Sequence, residues 1–401
     1  MSTAPCLLVL NAGSSSLKFS LFEIDRSLAC ILSGSIDRVG SARSTFTLKT
    51  GAGTSSETND LSAPNHVEAL RHVLARTTAA TAGLVAVGHR IVHGGPRYRA
   101  PQHVDDAMLE ELRRVSDFDP EHLPSEIALV EVIAKEFPTL PQIACFDTAF
   151  HETMPRVARI IPIPRRYEAM GVQRYGFHGL SYESLLHELA AISPSAASGR
   201  VILAHLGNGA SMAAVRGGES LDTTMSLTPA AGLPMSSRSG DLDPGLSAFM
   251  ARHERMSAVQ FDRMVNKESG LLGVSETSAD MRDLLAIEAE DVRAAEAIAL
   301  FCYQAKKCIG AYAAVLGGVD TVVFSGGIGE RAAPIRERIC EGLAFLGIEV
   351  DPLRNVAHAP VISANTSRVT VRIVHTDEEL MIARSVTRVL GLHSFSSKKP
   401  P

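Results

Sequence analysis

The chain has 401 residues, 45% hydrophobic and 21% charged, which excludes disorder along its whole length and allows two or three domains at about 100–200 residues each. Its net charge of −5 and pI near 6.3 argue against a general nucleic-acid binder, so an anionic ligand must be drawn by locally placed Arg and Lys. The six cysteines (6, 30, 145, 302, 308, 340) form no CxxC pair, which argues against a zinc knuckle or disulfide framework and for reduced thiols. Cys6, Cys30 and Cys145 lie in or near apolar runs and read as small buried hydrophobes. No apolar run approaches the roughly 18 residues of a membrane span, and MSTAPCLLVLN lacks a basic leader, so a cytoplasmic location is expected.

In chain order, CLLVL (6–10) is a short β-rich run. It leads through the turn cluster Asn11-Ala-Gly-Ser-Ser-Ser16 into LKFSLFEI (17–24), where Leu17, Phe19 and Leu21 alternate with Lys18 and Ser20. The result is a hairpin whose tip offers hydroxyls, backbone N–H groups and Lys18, all suited to polyphosphate. It lacks the GxxxxGK[ST] spacing and runs into a strand, so it is not a Walker loop. Alone, such a turn is more often a plain hairpin. AGLVAVGHRIV (82–92) is a predicted strand that carries Arg90 in GHRIVHGG. DDAMLEELRRV (105–115) and PSEIALVEVIAKEF (124–137) are predicted amphipathic helices, and PQIACFD (141–147) a strand ending in Asp147.

Beyond these, YGFHGLSY (175–182) sets His178 beside Gly179, where a core histidine and a functional one compete evenly. VILAHL (201–206), Gly207-Asn208-Gly209 and ASMAAV (210–215) make a second hairpin, whose plain reading is a type I′ Asn-Gly turn. SSRSGDLDPG (236–245) places Arg238 in a polar loop. A lone loop Arg usually serves solubility, but Arg90 and Arg238 both stand beside Gly-rich turns where a guanidinium can grip an anion bidentately. DVRAAEAIALFCYQAKKCIGAYAAVL (291–316) is a long Ala-rich helix. TVVFSGGIGE (321–330) is a strand that breaks into a Gly-rich turn before the helix APIRERICEGLAFLG. Its spacing fits GxGxxG only loosely, which favours nucleoside over dinucleotide binding. HSFSSKKPP, with Lys398 and Lys399, reads as a frayed tail.

Alternating strands and helices imply α/β layers, and two similar hairpins half a chain apart suggest two related domains. Nine segments in one order resemble the acetate kinase family (acetate and propionate kinases) over nearly the whole chain. They are LNAGSSSLKFSLF, GHRIVHGG, FDTAFHETMP, RYGFHGLSY, HLGNGAS, LDTTMSLTPAAGLPMSSRSGDLDPG, DMRDLL, FSGGIGER and TDEELMIAR. The resemblance implies two duplicated ribonuclease-H-like domains of the actin, Hsp70 and sugar-kinase superfamily, with an ATP cleft between them. On that reading the N-terminal domain is 1–150, completed by the helix at about 380–392. The nucleotide-binding domain is 151–379, and 393–401 is a flexible tail.

The resemblance also implies a homodimer that needs Mg²⁺, with Mn²⁺ an alternative, ATP and acetate, and neither nucleic acid nor membrane. By position, Asn11 and Glu378 match metal-site residues and Lys18 an ATP contact. His205, Leu206, Gly207, Asn208 and Gly209, then Asp280, Met281 and Arg282, then Gly326, Gly327, Ile328, Gly329 and Glu330, match the nucleotide-binding segments. Arg90 matches the substrate-binding arginine and Asp147 the essential aspartate. His178 and Arg238 match the residues that stabilise the transition state, and Val92, Phe177 and Pro229 line the substrate methyl pocket. Because acetate is already ionised near neutral pH, Asp147 is expected to orient the arginines, a metal or a water and not to act as a strict general base.

Two departures bear on the substrate. Where the family carries APLHNP this chain reads Asp119-Pro-Glu-His-Leu-Pro124, with Glu121 at an apolar pocket position, and before Arg238 it reads LPMSS in place of LMMGT. Phosphoryl transfer is unaffected, but acetate and propionate remain alternatives. A butyrate kinase fits less well, since its first loop reads more like NPGSTSTK. An ATP-binding clamp of the actin or Hsp70 type is the non-catalytic alternative, and such a clamp has no reason to keep Arg90, His178 and Arg238 together.

Overall fold

The computed structural model describes residues 4–25, 27–51, 55–77 and 81–392. The predicted tail 393–401, with Lys398 and Lys399, lies outside the described residues. The chain divides into two units, Met1–Ala149 with Asp377–Pro401, and Phe150–Thr376.

The first unit is built on a sheet of β1 (Cys6–Ala12), β2 (Ser16–Glu23), β3 (Cys30–Asp37), β4 (Ser44–Thr50), β5 (Ser55–Leu61), β6 (Leu84–Ile91), β7 (Gln102–His103) and β8 (Gln142–Phe146). Their order is β5-β4-β3-β2-β1-β6-β8-β7. β1 lies in the middle, antiparallel to β2 and parallel to β6, and all seven of its residues are buried. A strand covered on both faces reads as a continuous apolar run, which is what CLLVL is. β2 alternates near its start, with Leu17 and Phe19 buried and Lys18 exposed. Helices α1 (His66–Thr77) and α3 (Leu123–Glu136) pack Leu70, Val73, Leu129 and Ile133 into the core with Leu8, Leu10 and Phe19; α2 (Asp106–Arg114) lies against α3. The C-terminal helix Glu378–Leu390 rests on β1 and β6. It lies so close to Gly88 that a Cβ there would stand 2.6 Å from Ile382 and 2.7 Å from Val386.

The second unit has β9 (Arg200–Leu206), β10 (Ala210–Arg216), β11 (Glu219–Thr223), β12 (Thr321–Ser325) and β13 (Thr370–Ile373) in the order β11-β10-β9-β12-β13. Three antiparallel strands followed by two parallel ones repeat the run β3-β2-β1-β6-β8 of the first unit. The fold is therefore mixed α/β and internally duplicated. α4 (Gly179–Ile192) packs Tyr182, Leu185 and Leu189 on Val201, Leu203, Ala213 and Val323. α5 (Val292–Leu316) is the long Ala-rich helix, ended by Gly317 in the left-handed region at φ 71°.

Four local expectations are corrected. Gly207-Asn208-Gly209 is no type I′ turn, because none of the three has positive φ; that geometry belongs to Gly217-Gly218 (φ 64° and 84°), between the paired Arg216 and Glu219. The Gly-rich run after β12 is a short helix, α6 (Gly326–Arg331), closed by Gly326 N–H donating to Glu330 Oε1 at 3.0 Å. The predicted helix beyond it ends early: α7 is Ala333–Cys340, and Gly342 at φ 77° turns the chain before a 3₁₀ turn at Ala344–Leu346. Cys6 and Cys145 are buried, but Cys30 is exposed at the start of β3.

Candidate active site

In the first unit the parallel strands β1, β6 and β8 end side by side, where open α/β sheets place their ligands. Arg90 is the penultimate residue of β6 and Asp147 directly follows β8. Arg90 Nη2 donates to Asp147 Oδ2 at 2.7 Å; Nη1 donates to Ala12 O at 3.0 Å and to Glu126 Oε1 at 3.2 Å. Glu126 Oε2 accepts the Val92 N–H at 2.8 Å. The Arg90 side chain is 13% exposed, and those of Asp147 and Glu126 only 1%. A guanidinium has five N–H donors. Three are used here, so the Nε–H and one Nη2–H find no acceptor among the described residues. Burial alone would lower the pKa of Arg90, but Asp147, Glu126 and Glu378 together hold it above the ordinary value. Burial pushes the Glu126 carboxyl up to about 8 against the pull of Arg90 and the Val92 N–H, with Asp119 and Asp147 adding to the rise.

Asn11, next to last in β1, donates through Nδ2 to Glu378 Oε2 and Glu379 Oε1, each at 2.9 Å. Both glutamates open the C-terminal helix, which Asp377 caps by accepting the Leu380 N–H. Lys18 is paired across the hairpin with Asn11. Burial raises the Glu379 carboxyl, and Lys18 partly opposes that rise. Two carboxylates and an amide oxygen are hard donors, suited to a small divalent cation that keeps several waters. Among the described residues no group of three or more His, Cys, Asp and Glu could hold a metal by itself. A partial oxygen set of this kind fits Mg²⁺, which takes its remaining ligands from water and phosphate.

In the second unit His178 precedes α4 in the left-handed region at φ 60°, a conformation that for a non-glycine residue stores strain. His178 Nδ1 lies 2.8 Å from Ser211 Oγ, and its ring centroid 4.3 Å from that of His205. His205 Nδ1 is 2.7 Å from Ser181 Oγ. A Cβ built on Gly209 would stand 3.2 Å from His178 Nε2 and 3.7 Å from Arg238 Nη1, so the bare tip of the β9–β10 hairpin brings the two together. The Arg238 loop is closed by Met235 N–H to Arg238 O at 3.0 Å, and the Ser236 N–H donates to Asn208 O at 3.2 Å. Ser325 pairs with His205 across β12 and β9, and Gly326 at φ 76° lies against Leu206, where a Cβ would stand 2.7 Å from its carbonyl oxygen. Around Gly327 a side chain would meet open space, while Gly329 is buried. Glu330 Oε2 is 3.0 Å from His375 Nδ1.

Arg90, Asp147, Asn11, Lys18 and Glu378 thus gather in the first unit. His178, Arg238, 205–209 and 326–330 gather in the second. Asp280, Met281 and Arg282 make no hydrogen bond to that second group. Asp280 caps the helix Met281–Ile287 and pairs with Arg282, whose side chain is 88% exposed. Of the three methyl-pocket positions, Val92 is buried in the first unit; Phe177 is buried in the second, and Pro229 O accepts from Arg238 Nη1 at 3.4 Å. Glu126, Glu379 and Ser211 escaped the sequence reading. For Glu126 a signal existed: it falls on the buried face of α3, in helical spacing with Leu123, Ile127, Val130 and Ile133. The acid that reaches Arg90 is Glu126, two residues beyond the departing segment 119–124; Glu121, within that segment, is half-buried.

Residues 6–384 match the model of the acetokinase family. The acetate kinase of Methylocella silvestris is 44% identical over 96% of this chain and 98% of its own. The propionate kinase of Citrobacter rodentium is 40% identical, over 96% of each chain. Among solved structures, the acetate kinase of Porphyromonas gingivalis superposes with a TM-score of 0.86 at 36% identity, covering 96% of this chain and all of that one. The chain belongs to the acetokinase family, and so to the phosphotransferases that act on a carboxyl group.

Proposed function

We propose that the chain transfers the γ-phosphoryl group of ATP to acetate, giving ADP and acetyl phosphate, as a Mg²⁺-dependent cytoplasmic homodimer. One observation carries the assignment: Arg90 is a nearly buried guanidinium, fixed by two carboxylates, that keeps two N–H donors to spare. Those donors suit a carboxylate held bidentately. Arg90 binds the acceptor, and Asp147 sets the plane and direction of the guanidinium without taking a proton from an already ionised acid. A carboxylate and a polyphosphate repel, so fixed cations must offset the approach. Arg238 and His178 meet the charge on the transferring phosphoryl oxygens. Segments 205–209 and 326–330 hold the nucleotide, with Asp280–Arg282 on its adenosine side. Asn11 and Glu378, with Glu379 beside them, would hold Mg²⁺, which neutralises phosphate charge when bound.

Propionate is the second reading, favoured by the relative named propionate kinase, and the altered segment 119–124 leaves the choice of acid open. Hydroxylamine trapping of the acyl phosphate from acids of two, three and four carbons separates these readings. The expected order of kcat/KM is acetate, then propionate, then butyrate, with steps within the roughly 10- to 200-fold that one methylene supplies. Absence of any acyl hydroxamate with ATP, Mg²⁺ and all three acids would leave the non-catalytic clamp.

A further inference from the structure

Glu126 is placed where a charge has consequences. It lies 2% exposed on α3, with one carboxylate oxygen on Arg90 and the other on the Val92 N–H. The groups that face it are Arg90 from β6, Asp147 beyond β8 and Asp119 at the approach to α3. Asp119 is itself buried and 2.8 Å from His122 Nδ1. With both carboxylates ionised, the trio Arg90, Asp147 and Glu126 carries one net negative charge. A substrate carboxylate arriving on Arg90 would make it two, in a site with little water to screen them. The 3.2 Å contact from Arg90 Nη1 to Glu126 Oε1 is also the longest that Arg90 makes, and so the first to yield.

We propose that Glu126 is a positioning residue that takes up a proton on Oε1 as the acyl substrate binds, so that the carboxylate held on the spare Nε–H and Nη2–H of Arg90 leaves the net charge of the site unchanged. The proton comes from solvent and returns there when product leaves, so the transfer reaction stays balanced. Oε2 keeps the Val92 N–H throughout, which holds the side chain in place in either state. Above its titration the empty site holds Glu126 unprotonated, where it keeps Arg90 aligned. Protonated, it cancels the surplus charge. The position of its titration, about 8, sets the pH at which the two forms exchange in the empty site. The inference rests on Arg90 holding the substrate carboxylate.

Steady-state kinetics of the full-length protein between pH 7 and pH 9 test it. With a titration near 8, KM for acetate in the wild type rises about tenfold over that range, while KM for ATP stays flat. In Glu126→Gln, where an amide of similar volume is neutral at every pH, KM for acetate stays flat near the wild-type value at pH 7. A flat wild-type profile, or a rise that survives in Glu126→Gln, overturns the role of Glu126. A second measurement needs no variant: at pH 8, saturating acetate should draw about half a proton per chain from a weakly buffered indicator solution. No uptake contradicts the proposal. Arg90→Ala with an unchanged KM for acetate would instead remove the parent reading, so the two failures are distinguishable.

Discussion

Arg90 and Arg238 are the same side chain given different surroundings. Arg90 is pinned by Asp147, Glu126 and the Ala12 carbonyl, which in the proposed mechanism makes it a preorganised receptor for a ground-state anion. Arg238 is half-buried in a Ser- and Gly-rich loop and contacts the Pro229 carbonyl at 3.4 Å and the Met235 sulfur at 3.9 Å. In the proposed mechanism its main contact forms with charge that develops on the phosphoryl group during transfer. Arg238→Ala should therefore lower kcat by roughly 10²–10³-fold and leave both KM values within a few-fold. Initial-rate kinetics read this directly, and an effect confined to KM would contradict it. The difference between these arginines was visible in sequence only as motif context. For Glu126 the sequence shows only a carboxylate in helical spacing with buried apolar residues; that it shares Arg90 depends on a contact 36 residues away in the chain.

At the scale of elements, the two hairpins do the positioning. β1–β2 brings Asn11 and Lys18 across from each other, and β9–β10 brings Gly209 under His178 and Arg238. The strand alternation, the turn residues and the helices of the first unit were legible because period-2 and 3.6-residue patterns act locally. The conformation of the second hairpin's turn was not. Asn-Gly favours a type I′ turn in isolation, but here the tip is held by Gly207 N–H to Gly209 O at 3.0 Å, and Asn208 O accepts the Ser236 N–H from a distant loop. Tertiary contacts override the dipeptide preference. The absence of a side chain at Gly209 has a testable consequence. A methyl group there would press on His178 Nε2 at 3.2 Å, tighter than ordinary contact, and displace the ring by a few tenths of an ångström. Gly209→Ala is expected to lower kcat about tenfold with little change in melting temperature, since Gly209 has no positive φ to lose. An unchanged kcat would show that the hairpin tip does not set the His178 position.

Over the whole molecule, the same strand plan is used twice. In each unit the residues matched to the family's site sit where parallel strands end: Arg90 and Asp147 at β6 and β8, segments 205–209 and 326–330 at β9 and β12. In a chain of net charge −5, the proposed mechanism relies on cations placed one by one, Lys18 in β2, Arg90 near the end of β6 and Arg238 in its loop, and not on the overall field. Duplication was readable from the paired hairpins and the family from nine ordered motifs, but the carboxylate network behind Arg90 links positions 36 and 57 residues apart that no local pattern joins. The claim on which the account turns is that this guanidinium receives the acceptor acid. Initial rates of Arg90→Ala against acetate and against ATP test it most directly. KM for acetate should rise on the order of 100-fold, the worth of a charge-assisted pair of hydrogen bonds, with KM for ATP within about twofold of wild type. An unaltered KM for acetate, or a loss that falls on ATP instead, would contradict it.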